Sequence, residues 1–221
     1  MLAAAATAVL LAGCETSTAH QVTSPTSSTV PSTSPDLDPR ECARSASTGD
    51  IDRSAYDLHF TTGRLLVSVT PTGRASTCYS FTKAGNPNPE VPPDTLLFTF
   101  AGPGTDGAQL EFLAGDMSGA GLPPADGQRP TVQPLTGPIN AQVGVSVGGG
   151  FHTATTCRLT ITAMAARLAA GTFDCPGATL STANPFAPND EGPFDGESFS
   201  APSTPVAPDT VRLAGWFELT P

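Results

Sequence analysis

A serine between two glycines is the first pattern in this sequence with the form of a catalytic motif. Residues 144–148 read Gly-Val-Ser-Val-Gly, which is the G-x-S-x-G spacing of a nucleophile elbow. In such an elbow the serine sits on a strained turn between a strand and a helix. Ser146 instead lies among alternating valines, and a glycine-rich loop follows it. We therefore expect a strand serine and no enzyme, and we keep a serine hydrolase using Ser146 as the third functional alternative.

A second glycine pattern has the spacing of a cofactor loop. Residues 102–107 read Gly-Pro-Gly-Thr-Asp-Gly and follow a strand-like run, as the G-x-G-x-x-G of a dinucleotide site does. Such a site also needs a helix whose N-terminus receives the pyrophosphate. The next residues, 108–113, have the character of another strand. We expect a β-hairpin loop at this point and no cofactor.

Oxygen ligands for a metal are concentrated in residues 184–197, which contain Asn189, Asp190, Glu191, Asp195 and Glu197. These are the hard oxygen ligands that Ca²⁺ prefers, but their spacing does not match an EF-hand. His59 and His152 do not lie at ligand spacing from a cysteine or a carboxylate. We expect a solvated acidic loop and no metal, with calcium binding as the alternative.

The cysteines provide the strongest constraint on structure. Four of the five cysteines follow residue 40: Cys42, Cys78, Cys157 and Cys175. An even number in an exported chain predicts disulfides, with three possible pairings. If residues 155–163 and 169–175 form a hairpin centred on Ala166, Cys157 faces Cys175, which leaves Cys42 to pair with Cys78. No C-x-x-C pair supports a metal or redox site.

The same hairpin register predicts two further cross-strand pairs. Arg158 would face Asp174 as an ion pair, and Leu159 would face Phe173 as an apolar pair. Alternation then places Cys157, Leu159, Ile161, Phe173 and Cys175 on one face, and Arg158, Thr160, Thr162, Thr172 and Asp174 on the other. Residues 163–170 favour helix by composition. We expect them to form the loop of the hairpin, with at most one helical turn.

Short β-rich runs separated by turn residues indicate an all-β fold. The candidate strands are 55–60, 64–70, 76–82, 95–101, 108–113, 141–147, 155–163, 169–175, 196–201 and 210–219. In the last strand, Val211, Leu213, Phe217 and Leu219 alternate with Arg212, Ala214, Trp216 and Glu218, so the second set is expected to face mostly water. The pattern predicts one antiparallel sandwich or barrel-like domain with two disulfides.

The N-terminus has the features of a targeting segment. Residues 2–13 are apolar and uncharged, and too few to cross a bilayer as a helix. They end at Leu11-Ala12-Gly13-Cys14, which resembles the bacterial lipobox, although no positive charge precedes the apolar run. The resemblance implies a signal peptide over 1–13, removal of that segment, and a diacylglycerol on Cys14. It also implies anchorage at the extracytoplasmic face of the cell membrane.

The rest of the chain divides into two parts. Residues 14–39 are rich in Ser, Thr and Pro, which predicts a flexible stalk, and residues 40–221 form the β-rich domain. The formal net charge of −10 argues against nucleic-acid binding. Arg is strongly preferred to Lys, and Ala, Gly, Pro and Thr are abundant, a composition that resembles a high-GC actinobacterial genome. The general appearance of the chain is similar to that of small lipoproteins of mycobacteria and related actinobacteria. We expect a non-catalytic binding or interaction module with an envelope protein, glycan or lipid as its partner.

The alternative is a carrier of an apolar envelope lipid or other hydrophobic ligand. Such a carrier would need a cavity lined by strand residues such as Phe98, Phe100, Leu110 and Phe112.

Overall fold

The structure, a computed structural model, describes residues 36–52, 58–91, 94–117, 135, 137–187 and 210–221. Cys14, the predicted strand 196–201 and the carboxylates of the acidic loop lie outside these residues. The described residues form nine strands: β1 Thr62–Pro71, β2 Thr77–Ala84, β3 Glu90–Val91, β4 Thr95–Ala101, β5 Gly107–Leu113, β6 Ile139–Val147, β7 Gly150–Ala165, β8 Leu168–Ser181 and β9 Thr210–Thr220.

Two short helices accompany the strands, α1 Pro39–Cys42 and α2 Ala114–Met117. Asp38 caps α1 by accepting a hydrogen bond from the Arg40 N–H, and Pro39 occupies the first helical position, where no N–H is needed. Within the described ranges, no helix combines the length and the apolar character that crossing a membrane requires.

All neighbouring strands pair antiparallel, in the order β2-β1-β9-β8-β7-β6-β5-β4-β3. A further pairing of β2 with β4 joins the two ends of this order. The result is a closed barrel of eight strands, with β3 as an extra strand beside β4. Of the two architectures that the sequence left open, the chain adopts the barrel.

Phenylalanine rings from different elements fill the middle of the barrel. The Phe98 centroid lies 6.1 Å from that of Phe60, 5.9 Å from Phe112 and 5.8 Å from Phe217. Phe60 belongs to residues 58–60, which were predicted as part of a strand. They form no strand and instead pack Leu58 and Phe60 into the core, with the Phe60 N–H donating to the Pro87 carbonyl at 2.8 Å.

A second, smaller core lies on the outer surface of the barrel. Residues 36–52, here called the N-terminal strap, cover outward-facing side chains of β1, β7, β8 and β9. The cluster consists of Cys42, Ala46, Leu66, Cys78, Ala163, Ala170 and Trp216, with Leu37 and Leu168 packed against it. Trp216 was predicted on the mostly wet face of β9. It is only 3% exposed, because the strap covers it, and its indole N–H donates to the Glu41 carbonyl at 2.8 Å.

The strap is also joined to the barrel by backbone pairing. At its start, the Leu37 N–H donates to the Cys78 carbonyl. At its end, Ile51 forms a parallel bridge with Met164, at the part of β7 that extends beyond the pairing with β6. The strap therefore satisfies backbone groups that the barrel strands leave unpaired.

The predicted hairpin register is confirmed. Arg158 pairs with Asp174 and Leu159 with Phe173 in the backbone register, and Cys157 is bonded to Cys175. The second predicted bridge, Cys42–Cys78, is also present. The predicted loop over 163–170 is wrong in its extent: a bulge near Ile161 shifts the register by one residue, and the strands continue to a two-residue turn at Ala166 and Arg167.

The predicted Arg158–Asp174 ion pair is replaced by another. Asp174 accepts two hydrogen bonds from Arg212 of β9, at 2.8 and 3.1 Å. This bidentate geometry is the stronger arrangement for an arginine and a carboxylate, and it raises the pKa of Arg212. The register predicted from the sequence correctly aligned β7 with β8. It could not predict that β9 lies on the other side of β8 and supplies Arg212 as the partner of Asp174.

Removing either disulfide should destabilise the barrel, and the longer loop should matter more. The bridges span 18 and 36 residues in sequence. In the chain-entropy model, the paired Cys→Ala variants lose about 3 kcal/mol for Cys157–Cys175 and about 4 kcal/mol for Cys42–Cys78. Urea unfolding at equilibrium measures both losses. Non-reducing peptide mapping of the wild type tests the pairing itself, and recovery of Cys157 bonded to Cys42 or Cys78 would contradict the structure.

Candidate functional site

Ser146 lies within β6, and its hydroxyl is part of a hydrogen-bonded network. The residue is fully buried. Its Oγ donates to the Thr105 carbonyl at 2.8 Å and accepts from the Asn184 side-chain amide at 2.9 Å. The hydroxyl thus joins β6 to the β4–β5 loop and to the segment after β8. A nucleophilic serine needs an exposed Oγ beside a base, whereas this Oγ faces a carbonyl oxygen and an amide.

The two glycines of the G-x-S-x-G pattern are explained by packing and backbone geometry. A Cβ at Gly144 would collide with the ring of Phe151. Gly148 and Gly149 both have positive φ and form the two-residue turn between β6 and β7, which is the conformation of a type I′ hairpin turn. The Gly148 N–H donates to a carboxylate oxygen of Asp106 at 2.9 Å. The pattern therefore specifies a hairpin end.

The G-x-G-x-x-G pattern forms the β4–β5 hairpin loop, as predicted. Gly104 has a positive φ, and the Asp106 N–H donates to the Pro103 carbonyl at 3.0 Å. Gly107 begins β5, where an added Cβ would lie 2.5 Å from the ring of Phe186. The two glycine patterns meet through the contacts of Thr105 with Ser146 and Asp106 with Gly148, a proximity that sequence reasoning missed.

The first residues of the predicted acidic loop pack against this junction. Asn184 accepts the Phe186 N–H at 3.0 Å, and the rings of Phe151 and Phe186 lie 6.2 Å apart. Ala187 ends this part of the described chain. The carboxylates from Asp190 to Glu197, on which the calcium alternative depends, lie outside the described residues.

No group of three metal-ligating side chains suited to hold a metal ion occurs among the described residues. The His59 ring contacts the Asn88 side chain through Nδ1 at 2.8 Å, and His152 lies opposite Val145 in the β6–β7 register. Lys83, the only lysine in the chain, donates to the carbonyls of Ala84 and Asn86. Burial lowers the pKa of Lys83.

A polar groove on the outer surface is the strongest candidate for ligand binding. It occupies about 420 Å³ over β1, β2 and β9, and we call it the Arg64 groove. Its lining residues are Thr62, Gly63, Arg64, Ser80, Phe81, Thr82, Glu218 and Thr220. None of these residues belongs to a sequence pattern with the spacing of a known functional motif. Glu218 and Arg64 are adjacent only because β9 pairs with β1.

Arg64 and Glu218 differ in how they are held. The Arg64 guanidinium lies 5.0 Å from the centroid of the Trp216 ring, a cation–π distance. Within the described part of the chain, this guanidinium forms no hydrogen bond and no ion pair. Glu218 accepts a hydrogen bond from Ser47 of the strap at 2.5 Å. The groove thus presents an oriented cation beside an oriented anion.

A smaller and more apolar groove lies where the strap meets β7. It occupies about 260 Å³, slightly below the usual size of a site for a drug-sized ligand, about 300 Å³ or more. Its apolar lining comes from Ile51, Leu135, Ile139, Leu159 and Ile161. This groove is the described feature closest to the predicted carrier site, although it is separate from the phenylalanine cluster that the sequence suggested.

Replacing Ser146 by Ala should destabilise the fold by about 1–3 kcal/mol, because the half-buried Thr105 carbonyl and Asn184 amide lose their shared partner. Urea unfolding measures the loss, and Ser45→Ala, at an exposed position of the strap, serves as a control with no expected effect. Esterase activity should be at background in both variants and in the wild type. Activity that disappears only in the Ser146 variant, with its folding intact, would restore the hydrolase alternative.

Comparison with known proteins does not identify a relative. No protein-family model, no curated protein and no solved structure matches the chain. The barrel and its grooves are therefore the features from which function can be inferred. Among them, the Arg64 groove combines volume, charge and fixed side-chain orientation.

Proposed function

We propose that the protein is a non-catalytic binding module of the cell envelope, anchored to the membrane through Cys14, which meets its ligand on the outer surface of the barrel. The observation that carries this proposal is the packed interior. Phe98, Phe100, Leu110 and Phe112, the residues that would line a lipid cavity, are at most 3% exposed. The interior of an eight-stranded barrel has room for packed side chains or for one small ligand, and here these side chains pack in one buried cluster.

The outer surface of the barrel has open space for a ligand, which the packed interior does not have. The Arg64 groove is open and polar, and it contains a cation that has no ion-pair partner among the described residues. The net charge of −10 disfavours a nucleic acid or an anionic lipid surface as the ligand. A ligand of the envelope that contacts a polar sheet face is the class that fits.

The proposed anchor would allow the barrel to reach well beyond the membrane surface. Asp36 follows Cys14 by 22 positions in the sequence, a length that fully extended would span at most about 70–80 Å. Two acyl chains on Cys14 would provide stable anchorage, since each buried methylene contributes about 0.8 kcal/mol. A tethered barrel can thus sample envelope ligands at that range.

The second candidate, carriage of an apolar ligand, is favoured by the apolar groove beside Ile51. That groove would hold at most a short acyl segment, given its volume of about 260 Å³. A carrier of a whole lipid would have to open the phenylalanine cluster. The aromatic contacts of Phe98 with three other rings oppose such opening.

An apolar probe distinguishes the two functions. The wild type should show no saturable binding of a fluorescent fatty-acid analogue, because its interior is filled. Phe98→Ala should lower the free energy of unfolding by about 3–5 kcal/mol and create a dry cavity able to bind benzene. That variant is the positive control for interior binding. Stoichiometric, micromolar binding of the fatty-acid analogue by the wild type would favour the carrier.

Replacing Cys14 by Ala tests the anchor. The variant should move from the membrane fraction to the soluble fraction, because residues 2–13 are too short to hold the protein as a transmembrane helix. Intact-mass measurement of the wild type should show loss of residues 1–13 and addition of acyl mass. Retention of the variant in the membrane, or an unmodified Cys14, would refute the lipoprotein assignment.

A further inference from the structure

We propose that the Arg64 groove binds the carboxylate of a single sugar acid in an otherwise neutral glycan, a ligand whose one negative charge limits the repulsion expected from the net charge of −10. This inference rests on the proposed binding at the outer surface and names the ligand class of that same site. The acidic function would bind Arg64, and the sugar hydroxyls would bind the polar side chains around it.

The Arg64 side chain is prepared to receive a carboxylate. A guanidinium offers donors in a planar fork that matches the two oxygens of a carboxylate. Contact with the Trp216 ring at 5.0 Å restrains this fork, so less side-chain freedom is lost when a ligand binds. Because Trp216 is only 3% exposed, its ring serves as a support for Arg64 and not as a stacking surface for a sugar.

The remaining lining of the groove matches hydroxyl groups. The groove carries the hydroxyls of Thr62, Ser80, Thr82 and Thr220. Those of Thr62 and Thr220 are hydrogen-bonded to each other at 2.7 Å, and each can still accept a further hydrogen bond. Glu218, held by Ser47 at 2.5 Å, is an acceptor for sugar hydroxyl donors. Phe81 contributes little apolar surface, because its side chain belongs to the barrel core. A ligand rich in hydroxyls therefore finds partners here, and an apolar side chain does not.

The strand pairing disfavours a peptide that would bind by adding a strand. Such a peptide needs a sheet edge with free backbone groups. In the groove, β1 is paired on both sides: Arg64 lies between Thr82 of β2 and Glu218 of β9. Thr82 is in turn paired with Ala101 of β4. The groove is thus the face of a continuous sheet, where recognition depends on side chains alone.

The experiment uses the full chain and a probe with a matched neutral form. The α-methyl glycoside of galacturonic acid is titrated against the protein, and its methyl ester is the comparison. Trp216 is the only tryptophan, so its fluorescence reports on Arg64 in direct contact with it. Calorimetry provides an independent affinity.

We expect the acid to bind saturably and the ester to bind at least about tenfold more weakly, since hydrogen bonds between charged groups account for such a factor. Arg64→Gln should weaken binding of the acid to the same extent. Arg64→Lys, which keeps the charge but loses the fork, should bind more weakly than the wild type. Arg74→Gln, in the exposed β1–β2 turn, should remain within about twofold of the wild type.

Equal binding of acid and ester, or an unchanged affinity in Arg64→Gln, would overturn the proposal. Tighter binding of a peptide with a single acidic side chain, such as N-acetylated and C-amidated Gly-Glu-Gly, than of the sugar acid would assign the groove to an acidic peptide instead. Melting temperatures of all variants verify that the fold is intact. If neither the sugar acid nor the fatty-acid analogue binds, only the glycan proposal is contradicted. If the fatty-acid analogue binds, the proposed function at the outer surface is contradicted as well.

Discussion

The pairing of β2 with β4 makes the sheet into a closed barrel. It involves only Thr82–Ala84 and Thr99–Ala101, whereas β1 and β9 are paired over ten residues. Without this short seam, the strand order would end at two open edges, whose free backbone groups invite association with other chains. Closure also brings the inward faces of all the strands together, so that Phe98 contacts rings on separate elements. The filled interior, and hence the outward location of the candidate site, depends on this seam.

The N-terminal strap uses the surface that closure creates. Its helix α1 packs over β1, β2 and β9, and the Cys42–Cys78 bridge fixes it to the outer side of β2. The strap buries Trp216 and holds Glu218 through Ser47. The strap therefore covers an apolar patch and also orients two side chains of the Arg64 groove. It holds Glu218 directly through Ser47, and it holds Arg64 indirectly through Trp216. The stability of the barrel surface and the shape of the Arg64 groove therefore depend on the same contacts.

The glycine patterns illustrate how a local sequence can have the spacing of a catalytic motif for structural reasons. Gly144 and Gly107 are needed because aromatic rings occupy the space of their side chains, and Gly148 is needed for a positive φ. The buried Ser146 hydroxyl bonds to a half-buried carbonyl and a half-buried amide, so its own polar group has partners. The spacing results from a hairpin packed beneath a loop.

The sequence by itself determined the features that depend on neighbouring residues along the chain. Alternation predicted β4 at its observed bounds, and the spacing of Cys157 and Cys175 fixed the β7–β8 register, because one hairpin must satisfy both the pleat and the bridge. Only the tertiary structure decided between sandwich and barrel, buried Trp216, and gave Asp174 to Arg212. Only the tertiary structure placed Arg64 beside Glu218, because these residues lie near opposite ends of the domain in sequence. Such contacts depend on which distant strands pair, and pairing is selected by the packing of the whole core, which no local periodicity encodes.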